Sequence, residues 1–300
     1  MAGSTYNPID VNDDTILRVS KSSFVTYAKC PRQFWWQKVA LPDLRTPSSP
    51  EAIRGTNIHQ VMEDGLNEIN ALNNPTSDTL RDGCFDVQAQ EQGVGGDDGV
   101  TAMQELLCAI ASDWGELEIV ELENKHEVRT DIWYTEDDGD GNLLHHAYTV
   151  MLVGMIDGVF RHPDGHLVVV ELKTGSCNDG KMSRTRRELC YYRKLLGLKA
   201  YEEPTHFLTI YPDADNLDFL MKMQNKKNVD IWMGLEKGMA VYEKAGTRSI
   251  NSMEKALSKS VHGMMTQEFP MKWNEFFCSQ WCNFHLSCNE ELIGGESDVL

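Results

Sequence analysis

No stretch of the 300-residue chain is long and apolar enough to span a bilayer, so no membrane partner is expected. The segment Met1–Asp14 is polar and acidic. It lacks the basic flank and apolar block of a secretory signal, and the protein reads as soluble, intracellular and cytoplasmic. No internal repeat is found, which leaves no repeat architecture to consider. Basic residues are scarce: 28 Lys and Arg stand against 46 Asp and Glu, for a net charge of −18. That balance argues against broad, non-specific adhesion to nucleic acid, although a local basic surface remains open. Eight cysteines in such a chain do not read as a disulfide framework.

What is present is organised in blocks. Residues 1–21 read as a flexible leader. Ser22–Lys38 reads as helix, capped by Ser22 or Ser23 and interrupted at Pro31. Leu41–Pro50 is a Pro/Ser linker. Glu51–Ala71 places Ile53, Ile58, Val61, Met62, Leu66 and Ile69 on a helical period. Asn73–Gly99, rich in Asn, Asp and Gly, reads as a loop or insertion, and Val100–Leu122 returns to helix. Lys125–Tyr134 and His145–Val153 alternate as strands about the acidic turn 136–141, which lacks the glycine and terminal Glu of a calcium loop. Gly154–Phe160 and His166–Leu172 form a second hairpin around His162-Pro163-Asp164-Gly165. Met182–Leu198 reads as helix and Thr205–Tyr211 as strand; Lys226–Lys244 and Ile250–Met265 read as helices. This order predicts an α/β fold with its core at about 125–211 and helical wings.

The chemistry concentrates in Gly154-Met155-Ile156-Asp157 and Val168-Val169-Val170-Glu171-Leu172-Lys173-Thr174-Gly175. The second run is almost continuously β-branched, as in a buried central strand, yet it ends in charges. Alternation sets Glu171 and Lys173 on one face and Leu172 on the other. Charges there are costly unless paired or bound, and Asp157 on the preceding strand can reach the same spot. Two carboxylates at one point suit a divalent cation such as Mg²⁺, with Lys173 orienting water or offsetting phosphate charge. A structural ion pair of Lys173 with Glu171 or Asp157 satisfies the same spacing. Upstream, Gly55-x3-His59-x3-Glu63 puts His59 and Glu63 one helical turn apart; downstream, Glu188 and Tyr192 share that spacing. Seven basic residues fall between Lys181 and Lys199, against the single acid Glu188. That block, including Lys181, Arg184, Arg186 and Arg187, reads either as a phosphate-facing surface or as a solvated helix face.

The succession Gly-x3-His-x3-Glu, Gly-x2-Asp, Glu-x-Lys-Thr-Gly and a pair similar to Gln-x3-Tyr resembles the RecB-like branch of the PD-(D/E)XK nuclease superfamily. The similarity is greatest to the iron–sulfur exonucleases associated with CRISPR adaptation and phage genomes, and it runs from Ser22 to Cys288. It implies a restriction-endonuclease-like core, a central mixed β-sheet flanked by helices, with helical amino- and carboxy-terminal elaborations. One nuclease domain is then expected over 22–300. The resemblance implies His59, Asp157, Glu171 and the Leu172 carbonyl as ligands for Mg²⁺ or Mn²⁺, with Lys173 catalytic and Tyr192 helping near the substrate. Glu63 and Glu188 are further candidates, and Glu188 departs from the glutamine usual at its position.

Cysteines crowd the end as Cys278-x3-Cys282-x5-Cys288, a thiolate set for zinc or iron–sulfur. The resemblance implies Cys30, in Cys30-Pro31-Arg32, as the fourth ligand of a [4Fe–4S] cluster, which would clamp 22–38 to 271–290. The gap between Cys278 and Cys282 departs from the two residues common in the family. Cys278, Cys282, His285 and Cys288 are an alternative local zinc site. Phe34-Trp35-Trp36 are expected to pack around the cluster; Trp35, Trp36 or Tyr191 could alternatively stack on bases. The implied activity is hydrolysis of DNA from single-stranded or frayed ends, with recombination or CRISPR-adaptation proteins as partners and a host cytoplasm if the chain is phage-encoded. The alternative is a catalytically silent DNA-binding adaptor of the same fold.

Overall fold

The computed structural model describes residues 16–43, 48–83, 85–199, 202–215 and 229–292, with nothing said of the Trp281 side chain. Most of the expected leader, residues 44–47 of the expected linker, Cys84 and the start of the helix expected from Lys226 lie outside the described residues. In chain order the elements are β1 (Leu17–Ser20), α1 (Lys21–Lys29), α2 (Pro31–Trp35), a π-helical turn (Trp36–Ala40), α3 (Pro50–Asn70), α4 (Ser77–Arg81), α5 (Phe85–Glu91), α6 (Asp98–Trp114), β2 (Glu118–Asp137), β3 (Leu143–Arg161), β4 (Leu167–Leu172), α7 (Asp179–Leu198), β5 (His206–Tyr211), β6 (Val229–Met233), β7 (Met239–Lys244), α8 (Thr247–Met265), α9 (Glu275–Trp281) and α10 (His285–Leu292). Strand pairing gives a seven-stranded mixed sheet in the order β1-β3-β4-β5-β7-β6, with β2 also paired to β3. The α/β class expected from the sequence is observed. No helix among the described residues is long and apolar enough to cross a membrane.

The chain divides into two compact units: 1–46, 129–153 and 254–300 in the first, 47–128 and 154–253 in the second. In the first, β1 runs parallel to β3, Leu17 opposite Val150 and Ser20 opposite Val153. So residues 17–20, expected in the leader, are a sheet strand, held by burial of Leu17 and Val19. The cap of α1 is Ser20 rather than Ser22 or Ser23: its side chain accepts from Ser23 N at 3.1 Å. The helix stops at Cys30, whose extended backbone precedes Pro31, and Pro31 opens α2 where its missing N–H costs nothing.

In the second unit β4 is buried at all six positions. It pairs antiparallel with the end of β3 and parallel with β5, as a central strand does. Val168, Val170 and Leu172 join Ile58, Val61, Met62 and Leu66 of α3 and Met103, Leu106 and Ile110 of α6 in one apolar core. Several expectations are corrected. Asn73–Gly99 is not a loop: Thr76 and Thr79 close a capping box on α4, and Phe85 opens α5 fully buried. The polar composition hid these short helices because capping, not periodicity, defines them. The helix expected over Val100–Leu122 ends at Gly115, whose positive φ of 86° terminates it, and β2 begins at Glu118. The expected strands His145–Val153 and Gly154–Phe160 are one strand, β3. The helix expected over Lys226–Lys244 is a hairpin instead: β6 and β7 pair antiparallel across a turn in which Gly238 has a φ of 95°. The sheet therefore extends beyond the expected 125–211 core.

Arg54 fixes the start of α3. It donates to both oxygens of Asp97 (2.6 Å each) and to both of Asp213 (2.8 and 2.9 Å). Asp213 also accepts from Gly175 N at 2.6 Å, so one guanidinium ties α3 to the loop that follows β4. Burial would raise the Asp213 carboxyl, but the Arg54 and Gly175 hydrogen bonds and the nearby positive charges outweigh it and hold the group at about 2. A folded value below the ordinary one stabilises the fold fully above about pH 4, and that contribution is lost as pH falls toward about 2. Asp213→Asn should cost about 1–3 kcal/mol at neutral pH, with the difference from the unmutated protein shrinking below pH 4. Urea melts at pH 7 and pH 3 check this; equal losses at both would refute it.

Candidate active site

Continuing the register from Gly158–Val170 by one step sets Asp157 on β3 beside Glu171 on β4. Both are buried, at 7% and 1% exposure. The hairpin brings them together because each lies on a strand whose apolar neighbours are committed to the core. Asp157 accepts from Leu172 N at 2.8 Å. Burial first, and repulsion by Glu171 second, push the Asp157 carboxyl well above the usual aspartate range, against the opposing pull of His59. Lys173 ion-pairs with Glu171 and lies 2.9 Å from Glu188 on α7. Glu188 is therefore the second partner of Lys173, buried to 9% exposure. Tyr192, one turn further on, is buried beside Glu171 and Asp157. Burial and those two carboxylates raise its phenol far above the ordinary range, so it stays protonated.

From α3, His59 approaches with Nδ1 3.3 Å from Asp157 Oδ2. Its helix comes this close because position 55 is glycine: a Cβ there would stand 2.7 Å from Thr174 Oγ1. Burial alone would lower the His59 value, but the neighbouring Glu123, Asp157 and Glu171 carboxylates outweigh it and raise it. Glu123, on β2, was not among the sequence candidates. Its Oε1 is 3.7 Å from His59 Nδ1, and His59, Glu123 and Asp157 offer donor atoms all within 4.8 Å of one another, a set able to hold a metal ion. Glu123 has a φ of 40°, a left-handed backbone that costs a non-glycine residue about 1–2 kcal/mol. No sequence pattern marks it, since it falls where the helix expected over residues 100–122 gives way to a strand.

His59, Glu123 and Asp157 line an open cleft of about 470 Å³ with Gly55, Thr56, Leu172, Lys173 and Thr174, whereas Glu171 is buried and not part of that lining. Leu172, whose carbonyl was the expected ligand, borders the cleft with its side chain in the core. Glu63 is set apart: it accepts from Gln60 at 3.0 Å, and burial followed by repulsion from Glu123 raises its carboxyl. Among the proposed phosphate contacts, Lys181 donates to the carbonyls of Thr174 and Gly175, Arg186 pairs with Glu243, and Arg184 and Arg187 are exposed. A second potential donor set, His162, Asp164 and His166, sits at the β3–β4 turn. There His162 Nδ1 accepts from Asp164 N at 3.1 Å and His166 Nε2 bonds the Tyr242 hydroxyl at 2.6 Å.

In the first unit, Cys30, Cys278, Cys282 and Cys288 are all buried. Trp36 packs with Cys282, Phe284 and Cys288, its ring stacked on Phe284 at 5.9 Å. Trp35 packs at the edge of this group, whereas Phe34 turns to Tyr27 and Phe269. The sulfurs face N–H donors. Asn274 N lies 3.4 Å from Cys278 Sγ, and burial pushes the Cys288 thiol up to about 11. Burial likewise raises Cys282, against a hydrogen bond from the Phe284 backbone. The Cys30 and Cys282 sulfurs act on Cys288, and those of Cys278 and Cys30 on Cys282, so the four thiols form one group. His285 Nδ1 is 3.2 Å from the Cys282 carbonyl.

The model of the PD-(D/E)XK nuclease superfamily matches residues 18–289, nearly the full span just described. The chain belongs to the PD-(D/E)XK nuclease superfamily. Members use divalent metals such as Mg²⁺ or Mn²⁺, so membership implies a metal-dependent nuclease acting on DNA. The mixed sheet flanked by helices is consistent with the superfamily's restriction-endonuclease-like fold. A solved structure, "Crystal structure of SSO0001", is similar over 90% of this chain and 85% of that one, at 12% identity and a TM-score of 0.38. No curated protein matches. For a PD-(D/E)XK site, a donor set that includes Glu123 has a direct consequence. Glu123→Gln should weaken Mn²⁺ binding on the order of tenfold in calorimetric titration while leaving the melting temperature unchanged or raised. Undiminished Mn²⁺ affinity would remove Glu123 from the set.

Proposed function

We propose that this chain is a metal-dependent DNA exonuclease of the RecB-like iron–sulfur branch, acting on single-stranded or frayed ends. The observation that carries the reading is the buried pair Asp157 and Glu171, with Lys173 and His59 beside them and Asp157, Lys173 and His59 lining one open cleft. Two carboxylates buried side by side repel, and nothing in the core gains from them. They suit a hard divalent cation, Mg²⁺ or Mn²⁺, which Asp157, Glu171, His59 and the Leu172 carbonyl would hold. When bound, the ion supplies charge neutralisation and Lewis-acid polarisation at a phosphoryl oxygen. Lys173, steadied by Glu188, brings a positive charge to the point where phosphate charge grows. Tyr192, protonated throughout, is a hydrogen-bond donor beside the same carboxylates. The departure from glutamine at 188 thus holds the lysine rather than crowding the cation.

The first unit supports the iron–sulfur reading over zinc. Cys30 stands with Cys278, Cys282 and Cys288 in one buried thiol group, which supplies the four cysteines that a [4Fe–4S] cluster takes and leaves Cys30 no bystander, as a local zinc site built with His285 would. Recombination or CRISPR-type DNA processing, in phage or host, is the setting the family resemblance favours.

The deciding assay uses anaerobically purified protein, end-labelled single-stranded DNA and Mg²⁺ or Mn²⁺. The unmutated protein should degrade linear strands and spare sealed circles, and Glu171→Ala should lower the rate on the order of a thousandfold. Cleaved circles would make it an endonuclease. Absence of cleavage with every divalent metal would leave a DNA-binding adaptor. Separately, Cys30→Ala should lose the broad visible absorption of an iron–sulfur protein and its bleaching by dithionite. A colourless unmutated protein holding one equivalent of zinc would establish the alternative.

A further inference from the structure

Away from the carboxylate cleft, the second unit has a cavity of about 220 Å³ lined by Ser183, Arg186 and Arg187 of α7 and by Arg248, Ser249 and Ser252 of α8. Among the described residues the lining is three guanidiniums and three hydroxyls, with no carboxylate and no apolar side chain. In a chain of net charge −18 this is an unusual concentration of one sign. Three guanidiniums around one space repel, and Glu243, which pairs with Arg186 Nε, is not part of the lining. Arginine presents a rigid fork of donors that matches the oxygens of a phosphate, and serine hydroxyls complete such a shell. Arg248, Ser249 and Ser252 also occupy the first two turns of α8, a 19-residue helix whose amino-terminal end favours an anion. Cavity composition and helix end point to the same ligand chemistry.

We propose that this cavity is a phosphate pocket that grips the backbone of the DNA strand at a distance from the bond being cut. It rests on the nuclease reading for the identity of its ligand. The strand is favoured over a free anion because α7 serves both places. Glu188 meets Lys173 and Tyr192 meets the carboxylates, while the adjoining Arg186 and Arg187 line the cavity, so a polyanion reaching one passes close to the other. The basic residues of α7 read from the sequence thus act with a partner set on α8, more than fifty residues later, that no local charge run disclosed.

The test is anisotropy binding of a labelled single-stranded oligonucleotide to the full chain in EDTA, where cleavage does not compete, across a salt series. The Arg187→Ala/Arg248→Ala variant should bind on the order of tenfold more weakly at low salt, equally for oligothymidine and mixed sequences. Its plot of log affinity against log salt should flatten by about 0.7 for each phosphate that the variant no longer neutralises. Arg248→Lys, which keeps the charge, should recover most of its share of the slope. Unchanged affinity and slope overturn the proposal. So does inorganic phosphate that binds the unmutated protein and not the variant while DNA affinity stays the same, since the pocket then serves a free anion. The two readings fail separately: arginine-dependent binding without cleavage in Mg²⁺ removes the nuclease and keeps the pocket, whereas normal cleavage with an unchanged slope removes the pocket alone.

Discussion

Asp157 and Glu171 stand on neighbouring strands, Glu171 at the end of an otherwise apolar β4, and the local architecture answers the electrostatic problem they create. Each carboxylate alone would be expensive at such depth, and together they repel. The Leu172 N–H, the His59 ring, the Lys173 ammonium and the protonated Tyr192 hydroxyl are all gathered around them. A core of hydrophobic residues would be simpler and no less stable, and the proposed cation is the ligand of opposite charge that would offset the expense.

The surrounding elements are arranged to keep that preparation rigid. His59 is useful only if α3 lies tight against the end of β4, and two features secure this. Gly55 removes the side chain that would meet Thr174, and Arg54, the residue before it, clasps Asp97 and Asp213. Asp213 in turn receives the Gly175 N–H, so the loop carrying Thr174 is held from both sides. On α7, the Tyr192 ring would stand 2.9 Å from a Cβ at position 154, which gives a packing reason for the glycine three residues before Asp157. The glycines of the two motifs mark close approaches to the chemistry rather than turns.

Parts of this are legible in the sequence because they obey a period. The β-branched run ending in Glu171 and Lys173 reads only as a buried strand, and alternation fixes which side chains share a face. His59 follows from helical spacing. What escapes lacks such a period. Glu123 lies on a strand at a left-handed backbone position, so neither alternation nor a turn motif singles it out. The β6–β7 hairpin reads as helix because its strands are short, the alternation of Met239 and Val241 is brief, and Gly234 and Gly238 act as turn residues only once the strands pair. The helices α4 and α5 are too short for periodicity, and their stability comes from a threonine capping box and from Phe85 packed beneath Gly65. Residues brought to one cavity only by the fold, such as Arg187 and Arg248, are invisible to any local window.

Glu188 shows how a departure from a family pattern can be read physically. A glutamine there would offer Lys173 a neutral carbonyl; a glutamate offers a full charge at 2.9 Å, in a site already crowded with acids. In the proposed metal-bound site Asp157 and Glu171 would hold the cation, and Glu188 would then be the carboxylate most free to hold Lys173. The lysine is fixed more firmly, and its own positive charge is partly spent on its neighbour rather than on the phosphate. The net effect is a site with one more negative charge than its glutamine counterpart, demanding stronger attraction of the substrate from elsewhere. The three arginines that line the cavity between α7 and α8 would, as proposed, be where this chain supplies that attraction.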